Sequence, residues 1–147
     1  METTAQNKQG SMLVFLGFVL FLLALIIGLF VLNVVNPRMA LSAHLSGVMN
    51  GMFLIILGLV WERLILSHNL LKLTYVLVLY GTFANVVAAT IAAITGFGGM
   101  LPLAGGKEGT GVTEVLISFL LITLALCMLS VCLMVLTGLY RHMKQKH

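Results

Sequence analysis

MLVFLGFVLFLLALIIGLFVLNVV, residues 12–35, decides the fold class, because it contains no charged side chain. A helix needs about 20 predominantly apolar residues to cross roughly 30 Å of hydrocarbon, and this run exceeds that length. It is too long for a signal-peptide core and leads into Asn36-Pro37-Arg38, so it reads as a retained span. Proline disfavours helix in the residue before it and is well placed at the first position of the next helix, so Asn36-Pro37 ends one helix and opens another. Working outward, three further runs of spanning length follow, Met39–Trp61, Leu70–Thr95 and Thr113–Gly138. A membrane barrel would need alternating segments of about ten residues instead. Glu62 to Asn69 forms a short polar link. Gly96 to Val112 forms a long glycine-rich one containing Pro102. Thr113 and Glu114 read as the N-cap and first-turn acid of the fourth helix. Short connections imply antiparallel neighbours. The expected structure is an all-α integral membrane protein, a single domain over residues 1–147 with four transmembrane helices in an up-down bundle.

Composition agrees. Of 147 residues, 61% are hydrophobic and 8% charged, and the mean hydropathy is +1.15. A soluble domain carries about 25% charged residues, so this chain cannot cover a water-facing surface. With an even number of spans, both termini lie on one side. Lys8, Arg63, Lys72, Arg141, Lys144 and Lys146 fall there, against Arg38 and Lys107 opposite. The positive-inside rule then predicts cytoplasmic termini in a bacterial-type inner membrane. The basic tail, with His142 and His147 among its cations, reads as a solvated topology signal. Nucleic-acid binding would need a basic face on a folded domain. Cys127 and Cys132 lie inside an apolar run with neither zinc nor CxxC spacing. The chain has no aspartate, so no serine–histidine–acid set is readable. The glycine loop lacks phosphate-loop spacing and reads as a lid or linker.

His44 is the sharpest chemical signal. It sits about five residues inside the second span, roughly 8 Å along the axis. Ionisable groups inside a span are costly and usually functional. Gly47, Gly51 and Gly58 share its side of the helix and leave a strip without side chains, open to another helix or to a planar cofactor. Small-residue strips usually pack helices, while a histidine at the head of such a strip also suits axial ligation of haem. Ser42, Ser46 and Asn50 form a polar series at helical spacing. Asn85, in the middle of the third span, shares a face with Thr74, Gly81, Thr82, Ala88, Ala89 and Ala92. Asn50 and Asn85 come to similar depth, which suits either an interhelical hydrogen bond or a polar pocket.

The segments Asn36-Pro-Arg-Met-Ala-Leu-Ser-Ala-His44, Gly47-Val-Met-Asn50-Gly51 and Leu79-Tyr-Gly-Thr-Phe-Ala-Asn85 resemble the small membrane hydroxylaminobenzene mutases. The resemblance runs from about Asn36 through Glu114, and more loosely through the outer helices. It implies an isomerase that converts hydroxylaminobenzene to 2-aminophenol in nitroarene degradation, with the hydroxyl moving from nitrogen to the ortho carbon. A more distant resemblance points to the styrene oxide isomerases, four-helix membrane proteins that bind haem b between subunits of a trimer. It implies that His44 ligates a ferric haem b iron as its metal site, with Gly47 and Gly51 giving the cofactor room. It also implies that Asn50 and Asn85 act on the substrate, and that the assembly is a homotrimer. We further expect Tyr80 and Thr82 as supporting donors and Arg38 as the partner of a haem propionate. The aspartate and tyrosine of the styrene oxide isomerases fall at Gly81 and Ala89 here, which argues against epoxide chemistry. The alternatives are an epoxide isomerase, a b-type haem electron carrier, and a non-catalytic membrane scaffold.

Overall fold

The structure is a computed structural model that describes residues 2–145. Lys146 and His147 of the expected basic tail lie outside the described residues. The chain forms four long helices: α1 (Glu2–Leu29), α2 (Pro37–Val60), α3 (His68–Thr95) and α4 (Val112–Gln145). Short 3-10 turns at Val31–Asn33, Trp61–Arg63 and Pro102–Ala104 fall in the connections. All four helices are long and apolar enough to cross a membrane.

Sequential helices run antiparallel, as the order of pairs in contact shows. Gly10 and Gly17 of α1 meet Gly58 and Gly51 of α2, Gly47 and Asn50 of α2 meet Val86 and Thr82 of α3, and Thr74 and Tyr80 of α3 meet Met134 and Thr123 of α4. The up-down connectivity is as expected, but the packing is open. Among the described residues, α1, α2 and α3 pack together, while no Cα of α4 comes within 8 Å of α1 or α2. Only Ile117, Val131 and Gly138 of α4 are buried. Its remaining leucine-rich surface is free for lipid or another protein.

Four helix ends differ from the sequence reading, the two of α1 for tertiary reasons. The polar N-terminus is helical from Glu2, because the Gln6 amide donates to the Trp61 and Leu64 carbonyls at 2.8 and 3.1 Å. Gln9 also accepts from the Trp61 indole at 3.3 Å. The first apolar run stops being α-helical at Leu29, and the chain turns so that the Asn36 amide reaches the Ala93 carbonyl at 3.0 Å. Asn36 then caps α2 by accepting from the Met39 amide at 3.1 Å, with Pro37 opening the helix. Thr113 is not the cap of α4: the helix begins at Val112, and the Gly111 carbonyl accepts from Val115. Beyond Gly138, α4 continues through the basic segment to Gln145.

Candidate functional site

The site is built on a seam of small residues between α1 and α2. A Cβ on Gly10 would lie 2.9 Å from the Gly58 carbonyl, and one on Gly51 would lie 2.8 Å from the Gly17 carbonyl. Further along, a Cβ on Gly47 would meet the Ala24 methyl at 2.6 Å. Backbone therefore packs on backbone, as small residues permit in membranes. Of the two occupants open for the strip at Gly47 and Gly51, a helix, α1, packs against it here. The partner set on α1, Gly10, Gly17, Ala24 and Gly28, was missed, although its near-heptad spacing is visible in the sequence.

At the outer end of the seam lies His44, half-buried. Its Nδ1 sits 2.8 Å from the Ala24 carbonyl oxygen. A carbonyl can only accept, so Nδ1 carries the proton, and in the neutral ring Nε2 keeps the lone pair. Gly28 makes room for the ring, since a Cβ there would come 2.6 Å from Nδ1. His44 lines an open apolar groove of about 690 Å³ with Leu22, Leu25, Ile26 and Leu41 among its walls. No cluster of three or more histidine, cysteine or acidic side chains occurs among the described residues. A bare metal ion would find too few protein ligands. A haem brings four ligands of its own and needs only an axial one, so this single imidazole fits that group.

The other expected residues lie on the α3 side of α2. The Asn50 amide donates to the Thr82 carbonyl at 3.3 Å. The Thr82 hydroxyl is fully buried and donates to its own helix at Val78, 2.8 Å away. Asn85 is half-buried one turn further along α3, and its side chain makes no hydrogen bond with the described residues. Asn50 thus faces α3, and Asn85 lies one turn beyond its partner on that helix, but His44 turns instead toward α1. Tyr80 faces neither, because its hydroxyl pairs with Thr123 of α4 at 2.6 Å.

The styrene oxide isomerase family model matches residues 9–140, which include every one of these positions. The chain belongs to the styrene oxide isomerase family. Within reach of this family member are two curated relatives from Ectopseudomonas oleovorans. The hydroxylaminobenzene mutase HabB is 48% identical over 84% of this chain and 77% of its own length. The hydroxylaminobenzene mutase HabA is 41% identical over 85% of this chain and 94% of its own. No solved structure matches the chain.

Two further features of this styrene oxide isomerase family member bear on the site. Gly81 packs against Met128, whose sulfur would lie 2.6 Å from a Cβ there, and Ala89 is 5% exposed. Neither position offers an acid or a phenol. At the outer end, Arg38 is exposed beside Leu41, Ser42 and Ser46 in a groove of about 490 Å³. Leu41 borders both this groove and that of His44. The glycine loop is a built cap. Glu114 accepts from the Gly98 and Gly99 amides at 3.0 and 2.9 Å. The Asn36 amide donates to the Ala104 and Gly105 carbonyls at 3.2 and 2.9 Å. The sequence marked Asn36 and Glu114 as helix-end residues. Their reach across to the loop became visible only in three dimensions.

Proposed function

We propose that this protein is a membrane isomerase that rearranges hydroxylaminobenzene to 2-aminophenol. The support is its similarity to two proteins named for that reaction, over most of the chain. Substrate and product are isomers. The N–O bond breaks, a C–O bond forms at the ortho carbon, and the proton lost from that carbon is balanced by one gained at nitrogen. No external oxidant or reductant is needed.

The chain's own groups suit this task. The Asn85 amide has no partner among the described residues and can both donate and accept. Asn50 uses one N–H on Thr82 and keeps its carbonyl oxygen. Each of these amides can hydrogen-bond a polar atom of the substrate. His44, with Nδ1 anchored on Ala24, would hold a haem b through Nε2, and Arg38 would bind a propionate as a bidentate cation. When bound, such a ferric haem supplies a Lewis acid for the hydroxylamine oxygen. The His44 groove opens outward, so further copies of the chain in a homotrimer would enclose it. Lys8, Arg63, Lys72, Arg141 and Lys144 share one end of the helices, which supports cytoplasmic termini in an inner membrane.

The test is anaerobic incubation of detergent-purified protein with hydroxylaminobenzene, with products separated by chromatography. Formation of 2-aminophenol without added reductant is the expected result. Turnover of styrene oxide with no 2-aminophenol would overturn the proposal in favour of epoxide isomerisation, the reaction named by the family model.

A further inference from the structure

Two glycines on different helices decide how the His44 ring is held. Ala24 of α1 is fully buried, and its carbonyl oxygen lies 2.8 Å from Nδ1 of His44. In an α-helix that carbonyl already accepts from the amide four residues on. A carbonyl oxygen has a second lone pair, and the imidazole N–H takes it. One turn further along α1, a Cβ on Gly28 would lie 2.6 Å from Nδ1, 2.9 Å from Cε1 and 3.3 Å from Cγ of His44. These three nearest atoms all belong to the imidazole, so the ring rests on bare backbone. On α2, a Cβ on Gly47 would lie 2.6 Å from the Ala24 methyl. A side chain at residue 28 would therefore push the ring off Ala24, and one at residue 47 would push Ala24 off the ring.

We propose that Gly28 and Gly47 are positioning residues for His44. By letting the Ala24 carbonyl reach Nδ1, they leave Nε2 as the one ligand atom of the ring and strengthen it as a donor. A hydrogen bond from the non-ligating N–H to a carbonyl fixes the tautomer and orientation of an imidazole and raises the basicity of its other nitrogen. In an apolar interior such a bond is stronger than in water. With the acceptor displaced, the proton is free to move to Nε2, which then has no lone pair to give. The consequence for haem rests on the cofactor reading proposed above. The seat of the ring does not.

The experiment uses the full chain in lipid nanodiscs with nitrogen-15-labelled histidine, first without haem, at mildly alkaline pH. The His44 signals are those lost in His44→Ala. The expected result is a single tautomer with the proton on Nδ1. Gly28→Ala and Gly47→Ala should each shift the ring toward the Nε2–H tautomer. Gly58→Ala is the control: its Cβ would lie 2.7 Å from the Gly10 carbonyl in the same seam, but about 21 Å along α2 from His44. It should leave the tautomer alone. Haem is then added and binding is read from the Soret band. Gly28→Ala and Gly47→Ala should bind it about 10–100-fold more weakly, and Gly58→Ala as the wild type does. Gly28 borders the His44 groove and Gly47 does not, so a blocked groove cannot explain weakening in both. Should Gly28→Ala fail to fold, His44→Ala should rescue it by removing the obstacle. A wild-type ring with its proton on Nε2 would overturn the positioning role. So would a tautomer or haem affinity that neither variant moves, an equal effect of Gly58→Ala, or a Gly28→Ala defect that His44→Ala does not rescue. Wild-type protein that shows the expected tautomers but takes up no haem overturns the cofactor reading alone.

Discussion

Replacing Gly51 with alanine tests the seam on which the site is built. The new Cβ would lie 2.8 Å from the Gly17 carbonyl oxygen, 2.9 Å from the Phe21 amide nitrogen and 3.0 Å from the Phe21 Cβ. The first two are backbone atoms of α1 and have no rotamer to change. The helices must part by roughly half an ångström, and a gap of that size forfeits about a quarter of each dispersion contact it opens. Overpacking of this kind costs about 1–3 kcal/mol. The higher helix propensity of alanine offsets little, because a span remains helical in the bilayer even when it separates from its neighbour. Gly81→Ala is the control. There the obstacle is the end of Met128, 2.6 Å away at sulfur, and a flexible thioether can swing aside for less than about 1 kcal/mol. Reversible unfolding in mixed micelles measures both. Gly51→Ala should be the more destabilising by at least about 1 kcal/mol. Equal stability of the two variants would refute the backbone-on-backbone account. Separation of the seam would also draw the Ala24 carbonyl away from Nδ1 of His44, now 2.8 Å apart.

Three other changes probe the site and its cap. His44→Ala should leave the helices inserted but remove the Soret band of protein loaded with haem, read in a visible spectrum; an unchanged spectrum at normal haem stoichiometry would end the ligation. Asn50→Ala and Asn85→Ala should each lower 2-aminophenol formation by about 10²–10³, the usual loss for an aimed donor. Their unfolding midpoints should barely move, since Asn50 makes one long bond of 3.3 Å and interhelical hydrogen bonds average about 0.6 kcal/mol. Loss of activity only in proportion to loss of folded protein would make these asparagines structural. Glu114→Gln replaces one of two accepting oxygens with an amide donor, so the Gly98 and Gly99 amides lose a charge-assisted partner worth about 1.5–3 kcal/mol. Hydrogen exchange at those two amides should accelerate, and unchanged exchange would count against the clamp.

The helices were legible because bilayer thickness turns a run of apolar residues directly into a span. The start of α2 was legible because Asn36 and Pro37 act within four residues of one another. The N-terminal turn of α1 was not, because its polar residues are held by Trp61 and Leu64, more than fifty positions away. Thr113 looked like a cap because hydroxyl residues favour that position, but the turn at Gly111, with φ of +90°, starts the helix two residues sooner. The strip at Gly47 and Gly51 was visible, with helix packing and a cofactor both open as its occupant. A strip records that something approaches closely and says nothing about what.

By itself, then, the sequence determined that the chain lives in a membrane, how many times it can cross, and that one histidine lies within the apolar spans. These properties follow from local composition, because the bilayer acts on each segment separately. The tertiary structure alone decided that α1 fills the glycine strip, that the Ala24 carbonyl sets the tautomer of His44, and that Asn50 and His44 turn to opposite neighbours. Each of these depends on which backbone atoms of a distant helix come within a few ångströms, a distance set by the mutual fit of three helices and not by any one of them.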